Sequence, residues 1–219
     1  MIQAATFRFL QALKKNNDKT WFDAHRDTYE TARADFESFI AELLQELTPV
    51  EPGLAGQKAK DCIYRIYRDV RFSKDKTPYK PNFSAYFTKG GKKWEGAGFY
   101  LHLEPGAIFA GGGLWMPPAP LLKAVRQEID YNFKEFEGIL KSKAFKKNFP
   151  SLSGERLQRA PQGYEESNPA IEYLKMKSFI GSHSMSDEEF GKKGAVKNLA
   201  AVYTSLKPLI DFLNRAVEG

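Results

Sequence analysis

Both ends of the chain carry hydrophobic residues spaced three or four positions apart, the period of an amphipathic helix. One such stripe runs from His25 to Leu47, directly after Thr20–Asp23, which has the residues of a capping box. A second stripe runs from Val196 to Val217, and Pro208 within it is expected to kink or split the helix. The pattern predicts a long helix at each end and places His25 in the buried stripe as a structural residue.

The middle of the chain changes to the alternating pattern of β-strands. It predicts four strands, at Ile63–Phe72, Phe83–Thr88, Gly98–Glu104 and Ala107–Trp115, followed by helical signals at Leu121–Tyr131 and Phe133–Leu140. The short turn between the last two strands predicts an antiparallel hairpin. Helices around a central meander predict an α+β fold, in which N- and C-terminal helices pack on a mostly antiparallel sheet, with residues 1–219 forming a single domain.

Alternation divides the strand residues into two faces of the predicted sheet. The apolar face holds Phe83, Ala85, Phe87, Phe99, Leu101 and Leu103, and is expected to be covered by helices. The opposite face holds Ser84, Tyr86, Thr88, Tyr100, His102 and Glu104, together with Arg65, Tyr67, Asp69 and Arg71 from the first predicted strand. An antiparallel sheet often keeps one solvated face, so this mixture is either an ordinary wet surface or a ligand cleft.

The glycine run at 111–113 lies inside the last predicted strand. Consecutive glycines in a strand mark a bulge or the close approach of a ligand or another backbone. The run is not a dinucleotide fingerprint, because Pro117 and Pro118 follow it in place of a helix start, and no cofactor is expected. The three histidines and Cys62 have no ligand spacing, so the sequence predicts no metal site.

Composition narrows the choice of partner and compartment. The 219 residues carry a net charge of +6, which favours anionic partners in general. Cys62 is the only cysteine and excludes an internal disulfide, which fits a reducing compartment. The uncharged stretch Pro105–Leu122 contains four glycines and four prolines, unlike a membrane helix. The N-terminal residues also lack the pattern of a secretion signal, so a cytoplasmic location with no membrane partner is expected.

The segment Tyr64–Lys80 combines six Arg or Lys residues with four aromatic ones among seventeen. We expect it to form an anion site with the polar sheet face, because Arg binds phosphate through two parallel hydrogen bonds. Asp69 and Asp75 are expected to orient its cations, and Arg68, pointing to the other face, to form an internal salt bridge. The candidate ligand-binding residues are Arg65, Tyr67, Arg71, Lys74, Lys76, Lys80, Tyr86 and Tyr100, and the acid–base candidates are His102 and Glu104.

Four stretches of the chain resemble the domain-of-unknown-function family 2461. They are FLQALKKNNDKTWFDAHRDTYE, RIYRDVRFSKDKTPYK, GFYLHLEPGAIFAGGGLWMP and LKMKSF, which occur in the family's order and span most of the chain. The resemblance implies that the whole chain is one such domain, of a kind found in cytoplasmic proteins. It carries no assigned catalytic residues, so the candidate site rests on the residues themselves.

Three functions agree with these observations. The first is the binding or processing of a small anionic, phosphate-bearing ligand. The second is nucleic-acid binding, because basic residues alternate with Tyr64, Tyr67, Phe72 and Tyr79, which can stack on bases. The third is a protein-interaction domain without chemistry, whose charges form a solvated face. The sequence leaves open whether the protein is an enzyme and what its oligomeric state is.

Overall fold

Residues 1–218, the part of the chain that the computed structural model describes, contain ten α-helices and five strands. The helices are α1 Ala4–Lys15, α2 Lys19–Ala24, α3 Arg26–Leu47, α4 Ala59–Cys62, α5 Ala119–Tyr131, α6 Phe133–Lys141, α7 Lys143–Asn148, α8 Ile171–Leu174, α9 Asp187–Gly191 and α10 Ala195–Glu218. The strands are β1 Phe83–Phe87, β2 Gly98–Leu103, β3 Ile108–Leu114, β4 Leu152–Ser153 and β5 Phe179–Met185.

The strands form one antiparallel sheet in the order β1-β2-β3-β5-β4, packed by the N- and C-terminal helices. This confirms the α+β fold and the three predicted strands that became β1, β2 and β3. The sequence did not predict β5, because its residues Gly-Ser-His-Ser lack an apolar alternation. The short β4 pairs with the outer side of β5, with Leu152 opposite Gly181.

The described residues divide into two compact units, each assembled from separated segments of the chain. One unit comprises Met1–Lys92, Tyr100–Ala110 and Ser184–Ala201. The other comprises Lys93–Phe99, Gly111–His183 and the chain from Val202 onward. Every candidate site residue predicted from the sequence belongs to the first unit. The single-domain organisation over 1–219 stays a prediction.

The apolar face of the sheet forms core, as its alternation predicts. Phe83, Phe99 and Leu101 are at most 2% exposed. Phe83 stacks on Phe36 of α3 at a ring distance of 5.4 Å, and Phe99 contacts Tyr203 of α10 at 5.1 Å. On the opposite face the side chains are half-buried at Tyr86, Tyr100 and His102, whereas Ser84 is also buried. The face therefore has the predicted polar character, with less solvent access than a fully wet surface.

The predicted N-terminal helix is interrupted at His25, where α2 ends and α3 begins. The N-cap of α2 is Asp18, whose carboxylate accepts the Trp21 N–H, so the predicted capping box at Thr20 is wrong. The backbone of His25 is not helical, with φ −115° and ψ 23°, and its side chain is exposed. The ring stacks on Trp21 at 4.1 Å. The prediction of a buried His25 is wrong because the break turns it out of the stripe.

The C-terminal helix continues through Pro208 without a break. The hydrophobic stripe that includes Tyr203, Leu206 and Ile210 is buried, as predicted, while Pro208 is exposed. A proline costs a helix one backbone hydrogen bond and a steric clash in the preceding turn. Its position on the solvent side lets water reach that turn, and the predicted split is therefore wrong.

The glycine run marks places where other backbone segments approach β3. A Cβ atom at Gly111 would lie 2.6 Å from the carbonyl oxygen of Gly181, and one at Gly112 would collide with the carbonyl oxygen of Gly98 and lie 2.9 Å from a side-chain carbon of Leu206. Gly113 has a φ of +129°, which favours glycine, and a Cβ atom there would collide with the Phe179 carbonyl. The run therefore serves close backbone packing within the second unit.

Candidate functional site

The basic segment is extended, but it is not the regular strand that the sequence predicts. It makes isolated bridges, from Ile63 to Ala85 of β1 and from Tyr67 to Tyr79 within the segment itself. Residues 67–79, here called the basic hairpin, fold back on themselves through the bond from the Arg68 N–H to the Pro78 carbonyl (2.9 Å). A continuous ladder is prevented because Pro78 has no N–H to donate.

Polar bonds inside the basic hairpin neutralise two of its arginines. Arg71 donates to both carboxylate oxygens of Asp69, at 3.0 and 2.7 Å. Arg68 pairs with Asp75 at 2.8 Å, while Asp75 also accepts the Thr77 N–H and hydroxyl. The bonds from Arg71 lower the pKa of Asp69, and those from Thr77 lower the pKa of Asp75. The predicted pairing of Asp69, Asp75 and Arg68 is confirmed, with the partner of Arg68 in the hairpin instead of a helix.

The remaining predicted cations are distributed between the hairpin and its base. Lys76 donates to the Val70 carbonyl at 2.9 Å, and Lys74 is exposed on the same hairpin. Arg65 is exposed at the base, where its carbonyl accepts a bond from Lys80 at 2.8 Å. The basic residues therefore do not converge on one point, and the two at the base are the ones next to the sheet.

Two lysines flank the ring of Tyr64 at the base of the hairpin. The ammonium groups of Lys80 and Lys92 lie 5.7 and 5.5 Å from its centroid, within the range of cation–π attraction. Lys92 also donates to the Ile63 carbonyl at 3.0 Å. Burial, followed by the charges of Arg65 and Arg68, lowers the pKa of Lys80. Tyr64, Lys80 and Lys92 are here called the lysine–tyrosine cluster.

The lysines of this cluster differ from the hairpin arginines in their charge balance. Within residues 1–218, neither Lys80 nor Lys92 has a carboxylate oxygen within 4.0 Å. Their ammonium groups donate to backbone carbonyls instead, at 2.8 Å for Lys80 and 3.0 Å for Lys92. Tyr64 between them is 38% exposed, so an anion from solvent has access to the cluster.

A cleft of about 170 Å³ adjoins the cluster and shares Lys92 with it. Its lining residues are Gly56, Gln57, Lys58, Asp61, Cys62, Tyr86, Gly91 and Lys92. Burial raises the pKa of Tyr86 to about 12 and that of Cys62 to about 11. Both groups are therefore protonated at neutral pH.

The acid–base candidates form a row of polar contacts along β2. His102 Nε2 lies 3.4 Å from Glu104 Oε2, and His102 Nδ1 lies 3.3 Å from the Tyr100 hydroxyl. Lys14 donates to the other oxygen of Glu104 at 2.7 Å, and the imidazole stacks on Phe109 at 4.9 Å. The structure thus brings Tyr100, His102 and Glu104 together, as their alternate positions on one strand allow.

The charge states in this row follow from burial and hydrogen bonding. Burial lowers the pKa of His102, against the opposing effect of Glu104. Burial alone raises the pKa of Glu104, but bonds from Lys14 and His102 outweigh it, and the net shift is downward. At neutral pH the row therefore holds a carboxylate and a neutral imidazole, the form that accepts a proton.

Sequence reasoning did not identify Lys92, Lys14 or Phe109 as site residues. Lys92 belongs to Lys-Gly-Gly-Lys-Lys, which begins two residues after the end of β1, and lysines around a glycine pair near a strand end were an available signal. Lys14 lies 90 positions before Glu104, so no local pattern could connect them. In the sequence Phe109 is an ordinary strand aromatic, and only the pairing of β3 with β2 brings it beside His102.

No group of three or more His, Cys, Asp or Glu side chains in the described part of the chain is arranged to hold a metal ion. None of the helices in residues 1–218 combines the length and the apolar content needed to cross a bilayer.

Comparison with known proteins places the chain in a family. The model of the family described as "Conserved hypothetical protein (DUF2461)" matches residues 5–212, nearly the whole chain. Searches of curated proteins and of solved structures gave no significant match. The family match confirms the resemblance seen in the four quoted stretches, and the chain belongs to the DUF2461 family.

Proposed function

We propose that the protein binds a small anionic, phosphate-bearing ligand at the lysine–tyrosine cluster and the adjoining cleft. The observation that carries this proposal is the pair of ammonium groups of Lys80 and Lys92, which flank Tyr64 without a carboxylate within 4.0 Å among residues 1–218. An anion there would gain charge-assisted hydrogen bonds, which are stronger than neutral ones.

The hydroxyl groups near the cluster support the same ligand chemistry. Tyr86 lines the cleft, and both Tyr86 and Tyr100 are neutral phenols whose pKa values burial raises further. Neutral hydroxyls donate hydrogen bonds to phosphate oxygens without repelling them. Arg65 adds positive charge at the base of the hairpin, whereas Arg71 is already engaged by Asp69.

The row along β2 supplies chemistry for a processing role. Glu104 accepts the His102 Nε2–H, which leaves Nδ1 unprotonated and facing the Tyr100 hydroxyl. A neutral imidazole held in this way is a general base. The proposal assigns proton transfer to His102, with Glu104 as its positioning residue, if the bound ligand is transformed.

The first experiment tests the charge at the cluster. The melting temperature is measured in sulfate, phosphate and chloride at equal ionic strength, for the wild type and for the double variant Lys80→Met with Lys92→Met. We expect sulfate and phosphate to stabilise the wild type more than chloride does, and the double variant to lose this difference. Methionine keeps the apolar stem of each lysine, which limits loss of packing.

The control removes the same charge elsewhere. Lys123→Met with Lys134→Met alters two exposed lysines on α5 and α6 and should retain the wild-type response. If the three proteins respond equally to all anions, the lysine–tyrosine cluster is not an anion site.

A second experiment identifies the ligand class. Thermal-shift screening with phosphorylated metabolites and nucleotides should give a hit that depends on Lys80 and Lys92. A ligand that binds only the folded state adds ~2.7 kcal/mol of stability at a hundred times its dissociation constant. Shifts of the same size in the wild type and the double variant would place the ligand elsewhere.

A further inference from the structure

The tip of the basic hairpin presents an isolated phenylalanine to solvent. Phe72 is 95% exposed, whereas each of the other phenylalanines is buried or half-buried. Tyr67, at the base of the same hairpin, is 45% exposed. An aromatic ring held in water adds little to folding stability and leaves its faces open to a partner, so the residues around it decide what it can bind.

The hairpin is braced so that the ring stays outward. Its base is closed by the Tyr67–Tyr79 bridge and by the ion pair between Arg68 and Asp75. Tyr79 is buried and stacks on Phe22 of α2 at 4.0 Å. The bond between Lys76 and the Val70 carbonyl spans the arms of the hairpin.

The surroundings of Phe72 are basic. The segment Tyr64–Lys80 contains six Arg or Lys and two Asp residues. The guanidinium of Arg71 lies 5.8 Å from the centre of the Phe72 ring, and Lys74 is exposed two residues further on. The hairpin thus offers a planar apolar face beside positive charges, the combination on which single strands are bound through base stacking and phosphate contacts.

We propose that the basic hairpin binds single-stranded nucleic acid, with Phe72 stacked on a base and with the exposed Lys74 near a flanking phosphate. A duplex does not fit this geometry, because its base faces are covered by their neighbours. An anionic lipid surface fits poorly as well. Phe72 is a single apolar residue beside Asp69 and Asp75, whereas membrane anchoring requires a wider apolar face.

The test measures fluorescence anisotropy of labelled twelve-residue oligonucleotides, of uridine and of deoxythymidine, at several salt concentrations. Phe72→Ala should weaken binding about tenfold, the loss expected when one stacking contact is removed, and Phe72→Trp should retain it. Lys74→Ala should reduce the slope of log affinity against log salt by about 0.7, the value for one phosphate contact on a single strand.

Tyr131→Ala is the matched control, since Tyr131 is a 74% exposed aromatic on α5. It should leave the affinity unchanged. The proposal is overturned if wild type and Phe72→Ala bind equally, if a duplex of the same length binds as tightly, or if Phe72 is instead required for binding anionic vesicles. The sulfate response of Phe72→Ala should equal that of the wild type, so this proposal and that of the small-anion site can fail separately.

Discussion

Strand β2 and the basic hairpin share an alternating sequence, but different forces hold them in place. In β2, Phe99, Leu101 and Leu103 are at most 1% exposed, while Tyr100 and His102 between them are half-buried. Alternation there records which face is removed from water. In the hairpin, bonds between neighbouring charged side chains determine the conformation.

The difference between β2 and the hairpin shows under which condition an alternating sequence predicts a regular strand. Where one face meets a core, every second residue is constrained by apolar burial, and a change of register is costly. In the hairpin, an alternating charge pattern has no such constraint, because Tyr79 is the buried side chain among residues 67–79 and the others are exposed or half-buried. Local pairs such as Asp69 with Arg71 then compete with a ladder for the backbone.

The largest effect on stability is expected at Leu101, on the buried face of β2. Leu101→Ala should lower the free energy of unfolding by ~2–5 kcal/mol, because it removes fully buried methyl groups and leaves a cavity. Chemical denaturation with a common m-value measures the loss. A loss below the lower bound would mean that β2 is not held by its apolar face.

A second test concerns the charges on the half-buried side of β2. Since Glu104 raises the pKa of His102, Glu104→Gln should move the imidazole titration to lower pH in NMR spectra. Glu42→Gln on α3, an exposed carboxylate, serves as the control and should leave it unchanged. An unchanged His102 titration in Glu104→Gln would show that the two side chains do not interact.

The same groups predict the direction of acid sensitivity. Both folded-state pKa values are lowered, so the folded state binds fewer protons than the unfolded one. Stability from His102 is complete above its ordinary value near ~6.5, and that from Glu104 above ~4.3. Each contribution is lost as the pH falls through the folded value. Glu104→Gln should therefore remove the part of the decline that Glu104 causes below ~4.3, but enlarge the part that His102 causes below ~6.5, because the pKa of His102 falls further without Glu104. Denaturation at successive pH values measures both parts.

The polar bonds of the hairpin are tested at Asp75. Asp75→Ala removes the acceptor for Thr77 and the partner of Arg68. We expect faster hydrogen exchange at the Thr77 amide with little change in the global melting temperature, because the hairpin is outside the core. Equal exchange rates in variant and wild type would show that the hairpin is held by other contacts.

The smallest effect is expected at the tip. Phe72→Ala should change the free energy of unfolding by less than ~0.5 kcal/mol, as substitutions at exposed sites do. Denaturation alongside Leu101→Ala gives the contrast directly. A loss comparable to that of Leu101→Ala would mean that Phe72 is packed against other residues in solution.

Most of the fold could be predicted because an element that buries one side has its apolar residues at regular intervals in the sequence. The stripes of α3 and α10 and the alternation of β1 and β2 all reflect one side removed from water. The missed elements carry no such period. Strand β5 contains Gly-Ser-His-Ser, in which no apolar residue recurs at every second position. The turn at His25 depends on a non-helical backbone conformation, which the spacing of apolar residues does not encode.

The candidate site was predictable as a region and a charge, but not as an arrangement. Arg71 and Lys80 look alike in sequence. In the structure the Asp69 carboxylate balances the charge of Arg71, whereas Lys80 donates to a neutral backbone carbonyl. Lys92 reaches Tyr64 only because the chain folds back after β1. Such contacts are set by tertiary structure, which local spacing does not record.

The glycine run of β3 has a consequence for how this protein tolerates mutation. At Gly111 and Gly113 a methyl group would meet a main-chain carbonyl, and at Gly112 it would also meet Leu206. Backbone atoms cannot turn aside as a flexible side chain can. A saturation library should therefore show three adjacent positions at which alanine is depleted as strongly as larger residues. Gly138, with open space around its Cβ position, should accept alanine freely.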